Sequence, residues 1–422
     1  MTDVFIFQSN VRGMQYGMGT YIRTLSETIS ESKRYHIYHV CYLTSEIKEI
    51  NIECKNNQYT LIQIPVPREC RLEQKIFEQR YASLVLRIVS QYVKNEEQTI
   101  FHFNSVDALY LLKKIKTAFK SPIISTAHFS RAQLMSDGNL TKTENIDLDN
   151  INANDWIARN LREEREYYKS VSHVITVCDD MREYLINRYK IVENKISLVR
   201  NGIVFPKNIS TKGRLDLRKK YGFHPDDFIL LYVGRIDRIK GLHWIIKAVE
   251  QLSSFMPNIR FIAAGQGDIE NLIDKTKTSF GCISYTGFVN PQTVNELIRL
   301  ADGGIILSLY DHCPYSILEM IALKLPMIVS RVTGNKEIFN DDECLYINPI
   351  IEADGSQNFN VKDIVHAIEL LHNNKKDSTK KAQKIWKRAR SEFSAQKMCD
   401  DTLSVYNRLL YHRTYNSCIE AR

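Results

Sequence analysis

The run Phe228-Ile229-Leu230-Leu231-Tyr232-Val233 passes directly into Gly234-Arg235-Ile236-Asp237-Arg238-Ile239-Lys240-Gly241. Its apolar part is strand-sized and predicts a strand over Ile229–Val233. The residues after that strand put Arg235 and Lys240 in a loop at its carboxyl end, at the start of the next helix. A diphosphate is well served by such a loop: a permanently charged guanidinium that grips two oxygens, a mobile ammonium, and helix N-terminal amides directed the same way. Taken alone, the loop reads equally well as a solvated basic turn.

Strand-sized runs recur on both sides of it. Downstream, Arg260–Ala264, Cys282–Thr286, Gly304–Leu309 and Met327–Ser330 each precede a glycine or polar loop and a helical pattern. Upstream, Val4–Gln8, Ile37–Tyr42, Leu61–Ile64, Ile100–Phe103, Ile123–Thr126, Val174–Val177 and Ile196–Val199 read as strands. Between several of them apolar residues recur at helical spacing, as in Ile22, Leu25 and Ile29. Strands alternating with helices predict parallel sheets covered by helices, the α/β class. A chain of 422 residues also exceeds the ~250–300 at which single cores stop growing. The polar, Lys-rich stretch from Gly202 to His224 interrupts the alternation. The expected division is residues 1–205, residues 206–392, and a C-terminal helix and tail over 393–422 whose return to the first domain periodicity leaves open. Doubly wound domains bind ligands beyond the carboxyl ends of their strands, so residues just after each strand are the candidates for chemistry.

Composition removes several classes of function. Apolar runs stay far below the roughly 20 residues of a membrane-spanning helix. Residues Met1–Asn10 lack the basic start and apolar core of a secretory leader, so the expectation is a cytoplasmic protein. Nine cysteines, odd in number and without metal-ligand spacing, predict reduced thiols. The formal charge of +8 suits an anionic partner, whether nucleotide, lipid surface or nucleic acid. No stretch interleaves aromatic and basic residues as a nucleic-acid surface does. Lys375–Arg390 reads as a solvated helix face, and the helix Glu73–Val93, with Arg80 and Arg87 beside an apolar stripe, as a core helix with membrane contact as the alternative.

After Leu309 the chain reads Tyr310-Asp311-His312-Cys313-Pro314-Tyr315-Ser316-Ile317-Leu318-Glu319. Asp311 falls on the loop, and Glu319, eight positions on, inside the helix that Pro314 helps to start. Carboxylates so separated can serve two parts of one ligand, a sugar and a ribose. A buried Glu319 among Leu318, Met320 and Ile321 needs hydrogen-bond donors, which vicinal ribose hydroxyls supply; partly exposed helix surface is the alternative. In the first half, Val4–Gln8 leads to Gly13, Gly17 and Gly19 ahead of a helix expected from Thr20. Glycines let backbone amides approach a phosphate, although the spacing is loose for a dinucleotide fingerprint and also fits a plain flexible loop. His128 follows Ile123–Thr126, where a structural hydrogen bond and a ligand contact are both open.

Val233–Gly241, the Asp311 and Glu319 pair, and Pro326-Met327-Ile328-Val329-Ser330 with Gly334 and Glu337 resemble glycosyltransferase family 4, a retaining family of GT-B fold. Ala264-Gly265-Gln266-Gly267, Tyr285-Thr286-Gly287-Phe288, Val174–Leu185 and Arg200-Asn201-Gly202 match in the same order, so the resemblance spans almost the whole chain and is weakest in the first half. It implies two facing Rossmann-like domains with a donor cleft between them, the first on the acceptor side and the second binding the nucleotide sugar. It also implies retaining, metal-independent transfer from a UDP or GDP sugar, with no other cofactor, to a hydroxyl of a glycan, lipid-linked sugar, peptide or small molecule. Peripheral contact with the inner face of a membrane accompanies that reading as a further partner, and nucleic acid does not.

Position by position, the resemblance gives Arg235 and Lys240 the donor diphosphate, Glu319 the ribose, Asp311 the hydroxyls of the transferred sugar, and His128 a contact to that sugar. Gly17, Gly19, Gly234, Gly265, Gly267, Phe288, Tyr315, Ser316 and Ile317 complete the implied donor-binding set. Asp311 stands where glutamate is usual, Pro314 where glycine is common, and Asn104 where a second histidine often stands, which leaves the donor sugar open. Asp147-Leu148-Asp149 imitates the metal-binding aspartate pair of the other major glycosyltransferase fold, but its polar loop setting reads as solvated. A sugar-nucleotide epimerase of the same architecture and a non-catalytic nucleotide-sugar-binding protein are the alternatives.

Overall fold

The computed structural model describes residues 1–9, 17–67, 73–139, 141–150, 155–207, 213–270 and 280–420. Gly13 and Cys70 lie outside them. The chain forms two units: Met1–Arg131, Asp147–Gly202 and Ala395–Arg422 make the first, and Ala132–Ile146 with Ile203–Ser394 the second. No helix among the described residues is long and apolar enough to cross a membrane, and no disulfide joins them.

The first unit is built on β1 (Thr2–Ser9), β2 (Tyr35–Thr44), β3 (Asn51–Asn56), β4 (Tyr59–Pro65), β5 (Thr99–Phe103), β6 (Ile123–Ala127), β7 (His173–Thr176) and β8 (Ile196–Leu198). They lie in the order β3-β4-β2-β1-β5-β6-β7-β8, and only the β3–β4 pair is antiparallel. Central β1 is fully enclosed from Val4 onward because helices cover both faces of a parallel sheet. Phe7 stacks on Phe103 of β5 at 4.4 Å between ring centroids, and Phe5 on Tyr38 of β2 at 4.6 Å. Tyr21, Ile22, Leu25 and Ile29 are the buried stripe of the helix Gly17–Ser30. The last helix, Ala395–Glu420, belongs to this unit: Tyr406 donates or accepts a 2.6 Å hydrogen bond with His102 of β5, and Tyr35 of β2 donates to Asn407 at 2.8 Å.

In the second unit β9 (Phe228–Val233), β10 (Ile259–Ala264), β11 (Ile283–Gly287), β12 (Gly303–Ile306), β13 (Met327–Ser330) and β14 (Leu345–Ile347) form an all-parallel sheet in the order β11-β10-β9-β12-β13-β14. A short hairpin, β15 (Ile350–Ile351) and β16 (Gln357–Asn358), comes next in the chain. The order reverses between β9 and β12, which are hydrogen-bonded neighbours although two strands separate them in the chain. Asp302, just before β12, accepts from the β9 amide of Ile229 at 2.8 Å and is held by Arg214 and buried Arg218, so both strands start from one staple.

Two departures from the sequence reading bear on the site. β12 ends at Ile306, not Leu309, because Leu309 turns its N–H to Ile239 O at 2.7 Å and leaves the ladder. Ala132–Ile146, expected within a continuous first domain of residues 1–205, groups with the second unit. Buried polar anchors hold it there, Gln133 to Tyr310 and Asn139 to the Asp354 carbonyl.

Candidate functional site

Parallel neighbours deliver their carboxyl-end loops to the same edge, so the loops after β9 and β12 meet where the strand order reverses. Asp237 caps the 3-10 turn Arg238–Lys240, its carboxylate accepting from Lys240 N at 3.1 Å. Gly241 ends the turn at φ +71°, and a Cβ there would stand 2.1 Å from Leu307 O, so only glycine lets the β12 exit press this closely. With the backbones joined through Leu309 and Ile239, Lys240 Nζ reaches Asp311 Oδ2 at 2.6 Å, and both side chains are more than four-fifths enclosed.

Asp311 is fixed from several sides. Ser308 Oγ donates to Oδ2 at 3.0 Å, and the Thr333 hydroxyl donates to Asp311 O at 2.7 Å. Gly334 N donates to that same carbonyl at 3.0 Å, bringing the loop after β13 against 311–313. Arg235 shares the loop with Lys240 and pairs with Asp237 at 3.2 Å, over one-third exposed. The hydroxyl of Tyr232 holds the Arg235 carbonyl. Burial, with the carboxylates of Asp237 and Asp311 nearby, pushes that phenol well up, so it stays a proton donor. The structure therefore brings Lys240 and Asp311 into contact, and Arg235 shares the loop of Lys240, paired with Asp237.

The other candidates fall into place unevenly. Gly265 and Gly267 lie in the loop after β10, laced to the loop after β9 by Gly234 N to Ala264 O at 3.0 Å and Ile236 N to Gln266 O at 2.8 Å. Phe288 comes directly after β11 and is exposed. Tyr315, Ser316 and Ile317 form the first turn of the helix Tyr315–Ala322, with Pro314 as its N-cap. The Ile317 side chain is wholly buried and its N–H donates to Pro314 O at 3.2 Å, which commits it to the core and to the helix start. Glu319, one turn on, is half-buried and not enclosed, since it sits on the edge of the stripe formed by Ile317, Leu318, Met320 and Ile321. Asp237, Ser308 and Thr333 were missed by sequence reasoning; only Asp237 carried a signal, as a capping residue before a turn.

In the first unit the described helix already begins at Gly17, so Gly17 and buried Gly19 are helical and not part of a loop leading to Thr20. His128 lies just past β6, half-buried, with its ring edge-on to Tyr21 at 4.6 Å. Its Nε2 lies 3.3 Å from Asn104 Oδ1, while Asn104 Nδ2 donates to Phe7 O at 3.3 Å. The Asn104 amide oxygen can only accept, so this orientation puts the His128 proton on Nε2. Burial pushes the imidazole down to about 3, so it is neutral near pH 7. Asp149 of the Asp147-Leu148-Asp149 stretch is exposed and pairs with Arg165 at 2.7 Å, while Leu148 between the two aspartates is buried.

Residues 16–204 match the profile described as Glycosyltransferase Family 4, and residues 213–392 the profile described as Glycosyl transferases group 1. An uncharacterized glycosyltransferase of Methanocaldococcus jannaschii is 29% identical over 175 residues, 40% of this chain and 45% of that one. This chain spans about a third to a half of the length of the curated relatives first matched. Among solved structures, the sucrose-phosphate synthase of Thermosynechococcus elongatus superposes with a TM-score of 0.77 at 15% identity, over 98% of this chain and all of that one. HepE of Anabaena, solved with UDP-glucose, gives 0.68 at 12% identity over 97% of this chain and 100% of its own. Two profiles that together reach from residue 16 to residue 392, and a likeness of fold along nearly the whole chain, make this protein a member of the glycosyltransferases of the GT-B type.

Proposed function

We propose that the chain is a retaining glycosyltransferase, moving a sugar from a nucleoside-diphosphate donor to a hydroxyl acceptor without a metal. The observation that carries this reading is the 2.6 Å pair of Lys240 and Asp311 where the second sheet reverses its strand order. Departure of the diphosphate leaves negative charge on its outer phosphate. Lys240, Arg235 and the amides that open the helix Tyr315–Ala322 are the groups that meet it. Asp311 holds the ammonium in place and presents its carboxylate to the sugar hydroxyls, while Glu319 takes the ribose. HepE, with its UDP-glucose, supports the donor class.

In the reaction so assigned, the bond from sugar C1 to the phosphate oxygen breaks as C1 bonds to the acceptor oxygen on the same face. The acceptor's proton passes to the departing phosphate oxygen. His128, neutral and of fixed tautomer, then serves as a hydrogen-bonding group to the sugar, not as a cation.

Lys240→Ala should lower transfer by roughly 10²–10³-fold while Tm stays within a few degrees of the parent; near-normal turnover would refute the assignment. NMR of the purified product should show the donor's anomeric configuration. Donor turnover that needs no acceptor and yields an isomerised sugar would instead favour an epimerase.

A further inference from the structure

Three residues past His128 the chain leaves the first unit, runs through Ala132–Ile146 in the second and returns at Asp147. This excursion is anchored on the two loops that carry Lys240 and Asp311. Gln133, 4% exposed, accepts through Oε1 a 2.8 Å hydrogen bond from the hydroxyl of Tyr310, itself 2% exposed. Gly138, at φ +71°, lies so close under the same residue that an added Cβ would stand 2.9 Å from Tyr310 Cβ and 3.1 Å from Leu309 O. Its carbonyl accepts from Gln357 at 3.0 Å, and Asp137 pairs with Arg238 of the Lys240 turn at 3.7 Å.

Packing alone would not ask for an amide and a phenol here. Buried polar groups are costly unless paired, and once paired they fix direction as well as distance. Tyr310 is the residue before Asp311, so fixing its ring and hydroxyl fixes the entry of the chain into the carboxylate's position. Ser308 and Thr333 restrain the Asp311 side of the same loop, and Gln133 restrains the Tyr310 hydroxyl from Ala132–Ile146.

We propose that Gln133 is a positioning residue for Asp311: through Tyr310 it sets where the carboxylate meets the transferred sugar, which makes Ala132–Ile146 a determinant of donor-sugar selection. The inference rests on the assignment of Asp311 to the sugar hydroxyls. It separates grip on the sugar, which Asp311 meets directly, from grip on the diphosphate, which Lys240, Arg235 and the helix-opening amides share and which Asp311 reaches only through the ammonium it pairs with.

The test uses the full chain and the nucleoside diphosphate, among UDP, GDP, ADP and dTDP, that raises Tm most, together with the glucose or mannose conjugates of that nucleotide. Gln133→Leu and Tyr310→Phe should each weaken binding of the sugar conjugate by about five- to tenfold, as loss of one hydrogen bond's worth of positioning implies. Affinity for the bare diphosphate should stay within about twofold. The double variant should be no worse than either single one, and Gln133→Glu, which keeps an acceptor for the Tyr310 hydroxyl, should recover most of the loss. Equal losses for conjugate and diphosphate would mean a merely structural role and overturn the inference, as would no loss at all. Lys240→Ala distinguishes the two levels: if it leaves diphosphate binding intact, the donor reading itself fails. A chain that binds none of these nucleotides sinks both.

Discussion

Gly241 controls how near the loop of Lys240 comes to the exit of β12. Any side chain there meets a backbone oxygen, which cannot swing away, and carries the added strain of a positive φ. Gly241→Ala should therefore cost at least about 2 kcal/mol of stability in the second unit. Denaturant unfolding reads that cost directly, and an unchanged midpoint would show that the turn can open without loss. Lys240 and Asp311 were legible in the sequence because each stands just beyond an obvious strand, where doubly wound domains place their ligands. Ser308, Thr333 and Gln133 were not: a serine, a threonine and a glutamine signal nothing until chain segments far apart in sequence are laid against one another. The commitment of Ile317 to the core was equally invisible, since the periodicity of an eight-residue helix leaves its facing open.

At the scale of elements, strands enclosed on both faces announced themselves as unbroken apolar runs. β3 did not, because every residue of Asn51–Asn56 is exposed and its alternation carries no buried face. The three-residue β14 went unread, and the shortened β12 could not be foreseen, since what ends it is a hydrogen bond to the turn after β9. Helix Ala395–Glu420 was legible as a helix but not as a member of the first unit, which depends on Tyr406. There the phenol, His102, Thr126 and Tyr21 form a continuous buried chain at 2.6, 2.7 and 3.1 Å. Tyr406→Phe leaves a buried imidazole nitrogen without its partner and should cost about 1–3 kcal/mol. Unfolding monitored in the first unit checks it; a loss below the error of the measurement would show the helix held by packing alone.

For the molecule as a whole, acid should act mainly on the first unit. Burial pushes His39 and His173 down to about 4, and His102 and His128 down to about 3. Unfolding returns each to an ordinary value near 6.5, so the unfolded chain binds more protons anywhere between these limits. Stability is thus full above about pH 6.5 and is lost as pH falls toward 4, by up to ~1.4 kcal/mol per pH unit for each fully buried ring. Half-buried His128 contributes less, and Glu164, whose carboxyl burial pushes up, acts in the opposite sense. Scanning calorimetry at pH 7.5, 6.5 and 5.5 should show Tm falling with acidification, and a flat profile would contradict the neutral-histidine assignment.

The passage of the chain through the second unit before Ala395–Glu420 fixes an order of events during synthesis. A ribosome finishes everything the second unit needs while the partner of His102 is still unmade, so the first unit closes its buried hydrogen-bond chain only after that later helix is made. Premature termination near residue 394 would accordingly strike not the segment just translated but the sheet begun by the first strand.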